Sequence, residues 1–383
     1  MISQKERSLF PSCHLYHEEI GIHTLEFLYH FDPVHEKDVM NWIWNGLLKN
    51  APHRSDKTGL ANLAPGLNAQ IFRTNAGFFL KMIVNPRVMV DGKDGYLGIT
   101  DCGSNTLGMC RKKFDRYWKQ RGIRSIRMKR CNLNRVDLCM NIEFDESFSV
   151  PMYLDLLKRT PHDGHYRLQT MENPEDDLHI FKIANGCRAL VVYDKLYEQR
   201  RFDHDGFDCE NLMRIEYQMY SKALYKLRRK QTLENDQELL GWMMAHVPEI
   251  LCQGIAFCLV TDPYVNAEKI RVCIQKETGW RQSTKDGLRQ MQRELYRAKN
   301  YDEYLKWSAI SVLSQKGADD LPMEAIKPCR LDRKLKCYRD LKLCPACLRK
   351  GSGRFYLPSL YQLVCSVLSD HEKQCRAEGY TPD

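Results

Sequence analysis

The stretch "NRVDLCMNIEFD", residues 134–145, decides the fold. Side chains alternate across a strand. Val136, Leu138, Met140, Ile142 and Phe144 therefore form one apolar face, and Arg135, Asp137, Cys139, Asn141 and Glu143 form the other. The apolar face asks for a core. The other sets two carboxylates, an amide and an arginine in a row, which calls for a reason. A second stretch, "LMRIEYQM" at 212–219, repeats the pattern, with Met213, Ile215, Tyr217 and Met219 apolar and Arg214, Glu216 and Gln218 opposite. Both strands read Arg-x-acid. Side by side they would gather two or three carboxylates on one sheet surface, a donor set that suits Mg²⁺ or Mn²⁺. Arg–carboxylate bridges on a wet sheet face would carry the same pattern without a metal.

Working outward, "IGIHTLEFLYHFD" reads as a strand and "EKDVMNWIWNGLLKN" as a helix. "GFFLKMIVNPRVMV" is strand material broken at Pro86, and "LGMCRKKFDRYWKQRG" a helix ended by Gly122. Asn185-Gly186 between two apolar runs predicts a tight hairpin. "SKALYKLRRK" follows the second Arg-x-acid strand as a helix. Beyond residue 232 the texture turns helical, and the loop "QKGADDLPMEAIKP" sets off a basic, Cys-rich tail. The expected class is α+β: residues 1–230 as a domain with a central, mainly antiparallel sheet and flanking helices, its halves faintly duplicated. Residues 231–315 would form a helical region and 316–383 a basic DNA-binding segment.

A chain of 383 residues with 43% hydrophobic content excludes wholesale disorder. Net charge is +9, concentrated in "RKKFDRYWKQRGIRSIRMKR" at 111–130. Lys112, Arg116, Arg121 and Arg124 are candidate phosphate contacts, and Phe114, Tyr117 and Trp118 are rings that could stack on bases. The plain alternative is a solvated basic helix end. "MISQKERSLF" lacks the apolar core of a signal peptide, and the longest apolar run, "ILCQGIAFCLV", is interrupted by Gln253 and Gly254. The expectation is a cytoplasmic protein with reduced thiols and no membrane partner. Cys329, Cys337, Cys344 and Cys347 give C-x7-C-x6-C-P-A-C amid lysines and arginines. That spacing can hold Zn²⁺, though only one pair is CxxC, and reduced cysteines on a basic helix are the alternative.

Between the twin strands lies "RALVVYDKLYEQ", where Tyr193 ends an apolar run and Lys195 follows. A tyrosine hydroxyl can attack a phosphodiester, splitting one step into two reversible ones. Its ordinary pKa of about 10 demands a base, a cation or a polarised phosphate beside it. Tyr197, four residues on, would share a face with Tyr193 on a helical stretch and is the second choice of nucleophile, with a packed helix residue as its plain alternative. The ordered set "NRVDLCMNI", "CRALVVYDKLYEQ" and "LMRIEYQM" resembles the filamentous-phage gene II replication initiators, relatives of plasmid rolling-circle initiators. Upstream, "FFLKMIVNPRVMVDGKDGYLGITD" is similar to that family's strand, Pro and Gly segment, so the likeness spans about residues 75 to 220.

The resemblance implies a rolling-circle initiator that nicks one origin strand, stays on the 5′ phosphate through tyrosine, and later rejoins the displaced circle. Tyr193 would be the nucleophile, with Asp137 and Glu216 as ligands for Mg²⁺ or Mn²⁺ and Lys195 the motif lysine. Glu143 and Gln218 join the ligand set by face rather than motif, and Arg135 and Arg214 are assigned to DNA. Host helicase, single-strand-binding protein and polymerase follow as partners; the oligomeric state is open. The family of His-hydrophobe-His enzymes is not matched, because "HLYH" at 14–17 and "HDGH" at 162–165 have other spacings. Two rivals stand beside this reading: a relaxase or transposase with the same chemistry, and a non-enzymatic DNA-binding regulator whose acidic row is structural.

Overall fold

The two Arg-x-acid stretches are neighbouring antiparallel strands, with Asp137 opposite Gln218 and Cys139 opposite Glu216. The computed structural model describes residues 10–32, 34–49, 59–92, 100–101, 105–145, 148–201, 209, 211–306, 328–349 and 356–377. The first half runs β1 (Cys13–His30), α1 (Lys37–Ile43), β2 (Ala61–Ala64), β3 (Leu67–Thr74), β4 (Gly77–Val84), α2 (Pro86–Asp91), β5 (Thr100–Asp101) and α3 (Thr106–Gln120). The second runs β6 (Asn132–Phe144), α4 (Val150–Arg159), β7 (Arg167–Leu168), α5 (Pro174–Leu178), β8 (Ile180–Ala184), β9 (Arg188–Asp194), α6 (Lys195–Arg201), β10 (Asn211–Tyr220) and α7 (Ser221–Lys230). Then come α8 (Asp236–Ala245), α9 (Val247–Cys258), β11 (Tyr264–Val265), α10 (Ala267–Lys276) and α11 (Gln282–Arg297). The described chain closes with α12 (Pro328–Asp340), β12 (Tyr356–Leu357) and α13 (Leu360–Ala377).

The expected α+β class holds. One antiparallel sheet runs β2-β3-β4-β1-β6-β10-β9-β8-β7, with β5 also on β1. Local chemistry sets the joints. Pro86 ends β4 and opens α2, where Asn85 Oδ1 accepts from Val88 N at 3.1 Å. Gly122, at φ +78°, lies just past α3. Asn185-Gly186 turns β8 into β9 in a tight hairpin as expected, with Asn185 N donating to Arg188 O at 2.9 Å across Gly186 and Cys187. Ala184 pairs with Ala189, and Asn185 Oδ1 accepts from both Cys187 N and Arg188 N. The side chain closes the turn.

The apolar faces of β6, β8, β9 and β10 make the first core with α3, α4, α8, α9 and α13. α9 meets β10 closely at Gly254, where a Cβ would fall 2.8 Å from three ring atoms of Tyr217. Gly254→Leu should therefore cost roughly 1–3 kcal/mol by overpacking, read as a lowered urea midpoint with unchanged slope. A second core gathers Ile270, Ile274, Leu288, Met291, Leu295 and Tyr338 from α10, α11 and α12. The cores thus cut across the boundaries drawn at 231 and 316. α8, α9 and α13 belong with the sheet, and α10 and α11 with α12, because packing follows complementary faces while composition reports only surface character. Among the described residues no helix is long and apolar enough to cross a membrane.

Candidate active site

The polar row is buried. Asp137 is 1% exposed, Asn141 and Arg214 0%, Glu216 6% and Gln218 7%, so a wet sheet face is excluded. A cavity of about 400 Å³ lies between the row and the α5–α6 segment, with His23, Arg135, Asp137, Tyr193, Tyr197 and Glu216 in its walls. Each position has a local cause. Asp137 and Glu216 point the same way because β6 and β10 pair in register. Tyr193 lies opposite Arg214 on β9, one strand over. His23 sits where the β1–β6 register shifts between Ile22 and Thr24, and such a bulge re-aims a side chain.

Tyr193 donates its hydroxyl to Glu216 Oε1 at 2.8 Å. Burial, then the Glu216 charge, pushes the phenol well above its ordinary range, and Arg214 pulls the other way. Glu216 also accepts from Gln218 Nε2 at 3.4 Å, and His23 Nδ1 lies 3.4 Å from Glu216 Oε1. Burial, reinforced by Arg214 and Lys195, holds His23 well below the usual imidazole range, so the ring is neutral. Lys195 is 3% exposed and bonded to Glu198. Burial, then Arg214, pushes its ammonium down to about 8. Tyr197 is held differently, donating to Asp176 Oδ1 at 3.1 Å with its ring stacked on His179 at 3.7 Å.

No family model and no curated protein matches this chain.

Arg135 Nε donates to Asp137 Oδ1 at 2.7 Å, and its Nη2 donates to Oδ2. Even so, burial outweighs this pairing and pushes the Asp137 carboxyl up to about 6, with the Glu216 and Glu26 charges adding to it. Among the described residues no three His, Cys, Asp or Glu side chains gather into a metal-binding group. Two carboxylates facing a cavity still fit Mg²⁺ in kind. That ion keeps several waters and binds through one or two carboxylates with substrate phosphate completing its shell.

A buried carboxylate with a raised pKa weakens the fold above that pKa. The folded state holds the Asp137 proton up to about pH 6, whereas an unfolded aspartate loses it near 3.9. Stability from this group is therefore full below about pH 4 and declines as pH rises through 6. In chelator-treated protein, Asp137→Asn should raise the melting temperature at pH 7–8, and the gain should vanish near pH 4. Thermal unfolding at stepped pH checks this, and a variant that melts lower at pH 8 contradicts it.

The remaining expected residues fall elsewhere. Glu143 pairs with His14 Nε2 at 3.1 Å, six residues along β6 from Asp137, about 20 Å of strand, and is not in the cavity wall. Arg214 is not a DNA contact: fully buried, it donates from Nε to Asn141 Oδ1 at 2.7 Å. On α3, Lys112 and Arg116 are exposed, as is Arg124 after it, but Phe114, Tyr117 and Trp118 are buried in the core and unavailable for stacking. Arg121 lies over the Tyr117 ring at 3.6 Å. Cys344 packs in the first core and Cys347 in the second, and burial raises both thiols, which favours packing over thiolate ligation. Cys337 is half-buried on α12; the Cys329 side chain lies outside the described residues, as do 93–99 of the upstream likeness and the loop at 315–327. His23 is the residue the sequence reading missed. Its place depends on a bulge and on β1 pairing with β6, neither of which leaves a local mark.

Proposed function

We propose that this protein nicks and rejoins one strand of DNA through a covalent link to Tyr193. The observation that carries the reading is the Tyr193 hydroxyl on Glu216, inside a cavity shared with Asp137 and a neutral imidazole. In the forward step the phenolic oxygen forms a bond to phosphorus and the P–O3′ bond breaks. The phenolic proton passes to Glu216 Oε1, and the leaving 3′ oxygen takes a proton from solvent. Reversal by the 3′ hydroxyl rejoins the strand. Arg214 lies opposite Tyr193 on the neighbouring strand and is the fixed cation that favours the developing phenolate. Arg135, part-exposed at the cavity wall, is the donor placed to take a phosphate oxygen in exchange for Asp137. Mg²⁺ or Mn²⁺ held by Asp137 and Glu216 would supply charge neutralisation at the phosphate.

This reading makes the chain a rolling-circle replication initiator acting at an origin, with host helicase, single-strand-binding protein and polymerase acting after it. The test uses supercoiled DNA of the replicon that encodes the protein, incubated with Mg²⁺ or Mn²⁺, denatured, and mapped by mass spectrometry. A phosphotyrosyl adduct lost on chelation supports the reading. Binding without nick or adduct under either metal would leave a DNA-binding regulator with a structural acidic row.

A further inference from the structure

We infer that duplex DNA beside the nicked strand docks across α3 and α7 through its phosphates; the choice of DNA rests on the nicking reading. α7, "SKALYKLRRK", has no acidic residue. It buries Ala223 and Leu224 and exposes Lys222, Tyr225, Lys226, Arg229 and Lys230. Lys222, Lys226 and Lys230 recur at one-turn spacing, about 6 Å apart along the axis. Among the described residues none of these three lysines joins an ion pair; Arg228 alone on this helix does, with Asp236 at 2.8 Å.

Other exposed helices show what a merely solvated face looks like here. Arg271 pairs with Glu268 on α10, Arg289 with Asp286 on α11 at 3.2 Å, and Lys373 with Asp370 on α13 at 2.9 Å. α7 lacks that compensation. So does α3, whose one acid, Asp115, accepts from Met128 N at 2.8 Å and leaves Lys112, Arg116 and Lys119 exposed. The two helices flank the start of α8. Arg111 of α3 donates to Gln237 at 3.5 Å, and Arg228 of α7 reaches the adjacent Asp236. Exposed cations with no acidic partner on their own helix, on either side of the acidic start of α8 at Asp236 and Glu238, match two stretches of phosphate backbone.

The surface selects duplex over single strand. Single-strand sites stack bases on rows of rings, but the α3 rings are buried and only Tyr225, 51% exposed, stands on α7. That ring lies 5.9 Å from the Arg228 guanidinium and 5.8 Å from that of Arg229, and its hydroxyl accepts from Arg229 Nη1 at 3.4 Å. It braces cations. α7 also continues directly from β10, so its first residue is about 17 Å of strand from Glu216.

The test is fluorescence anisotropy of a labelled 20-base-pair duplex of arbitrary sequence over a KCl series. Lys222, Lys226, Arg229 and Lys230 are replaced together by Gln. The expected loss is on the order of 10²–10³-fold at 0.1 M salt, with the log–log slope shallower by about 3–4. A control replaces four exposed cations elsewhere, Lys269, Arg271, Lys276 and Arg293, by Gln. An unchanged slope in the α7 variant, or an equal change in the control, overturns the docking surface. Lys226→Glu alone should weaken binding if the fourfold variant folds poorly. Adduct formation on single-stranded replicon DNA scores the nicking reading separately: no adduct from the wild type sinks that reading, whereas adduct with an unchanged slope sinks the docking surface alone.

Discussion

Replacing Tyr193 by Phe is expected to abolish the covalent protein–DNA adduct while leaving DNA binding in place. The substitution removes one oxygen and nothing else, and the ring stays packed on β9. What disappears is the nucleophile and its 2.8 Å bond to Glu216. Loss of a nucleophile in a cooperating group costs on the order of 10⁶ in rate, so adduct should fall below detection in any practical assay. The control is Tyr197→Phe. Tyr197 shares the cavity but is committed to Asp176 and to the His179 ring. Its loss removes one hydrogen bond, about 1 kcal/mol, and should slow nicking by no more than about tenfold. Gel separation of denatured adducts, with peptide mapping of the modified residue, distinguishes the two. Adduct retained in Tyr193→Phe and lost in Tyr197→Phe would move the nucleophile from the end of β9 to the first turn of α6 and leave the Tyr193–Glu216 bond a structural one. Glu216→Gln should fall between them, since an amide oxygen still accepts from the phenol but is a far weaker proton acceptor.

The central sheet was legible because alternation is a local property. β6 and β10 announce their apolar faces residue by residue, and Pro86 and Gly122 mark the ends of their elements by chain stiffness and permitted dihedrals. The convergence of Asp137, Glu216 and Tyr193 was legible only in part. Periodicity put each on a given face of its own strand, but whether those faces meet depends on which strands pair. Burial was the least legible quantity. A polar row can read as wet, yet here both faces of β6 are covered, by the helices of the first core on one side and by the α5–α6 segment across the cavity on the other. The same blindness explains the two corrections at basic and aromatic residues. Arginine suggests surface, but Arg214 is enclosed; rings between arginines suggest stacking on bases, but Phe114 and Trp118 point into the core.

Arg214 makes the sharper case, because its two readings give opposite results. A phosphate-contacting arginine changed to Met would leave the fold intact and make the salt slope of DNA binding shallower by about 0.9. An enclosed arginine behaves differently. Burial disfavours its charge, while the Tyr193 hydroxyl, Cys139 and Glu216 around it hold the guanidinium protonated. Removing it leaves the Asn141 carbonyl without its 2.7 Å donor and takes one positive charge from the surroundings of Glu216. Breaking such an enclosed charge set costs about 3–5 kcal/mol, which in a domain of this size lowers the melting temperature by roughly 6–20 °C. Arg214→Met is therefore expected to melt much lower while the fraction still folded binds DNA with the wild-type salt slope. Calorimetric melting and a salt titration at 10 °C measure the two quantities independently. An unchanged melting temperature with a shallower slope would return Arg214 to the DNA interface and require the strand to open there. The expected pattern instead makes Arg214 the buried cation that faces the Tyr193 hydroxyl and opposes the upward push of burial on it, which is why an arginine is found where burial alone would favour leucine.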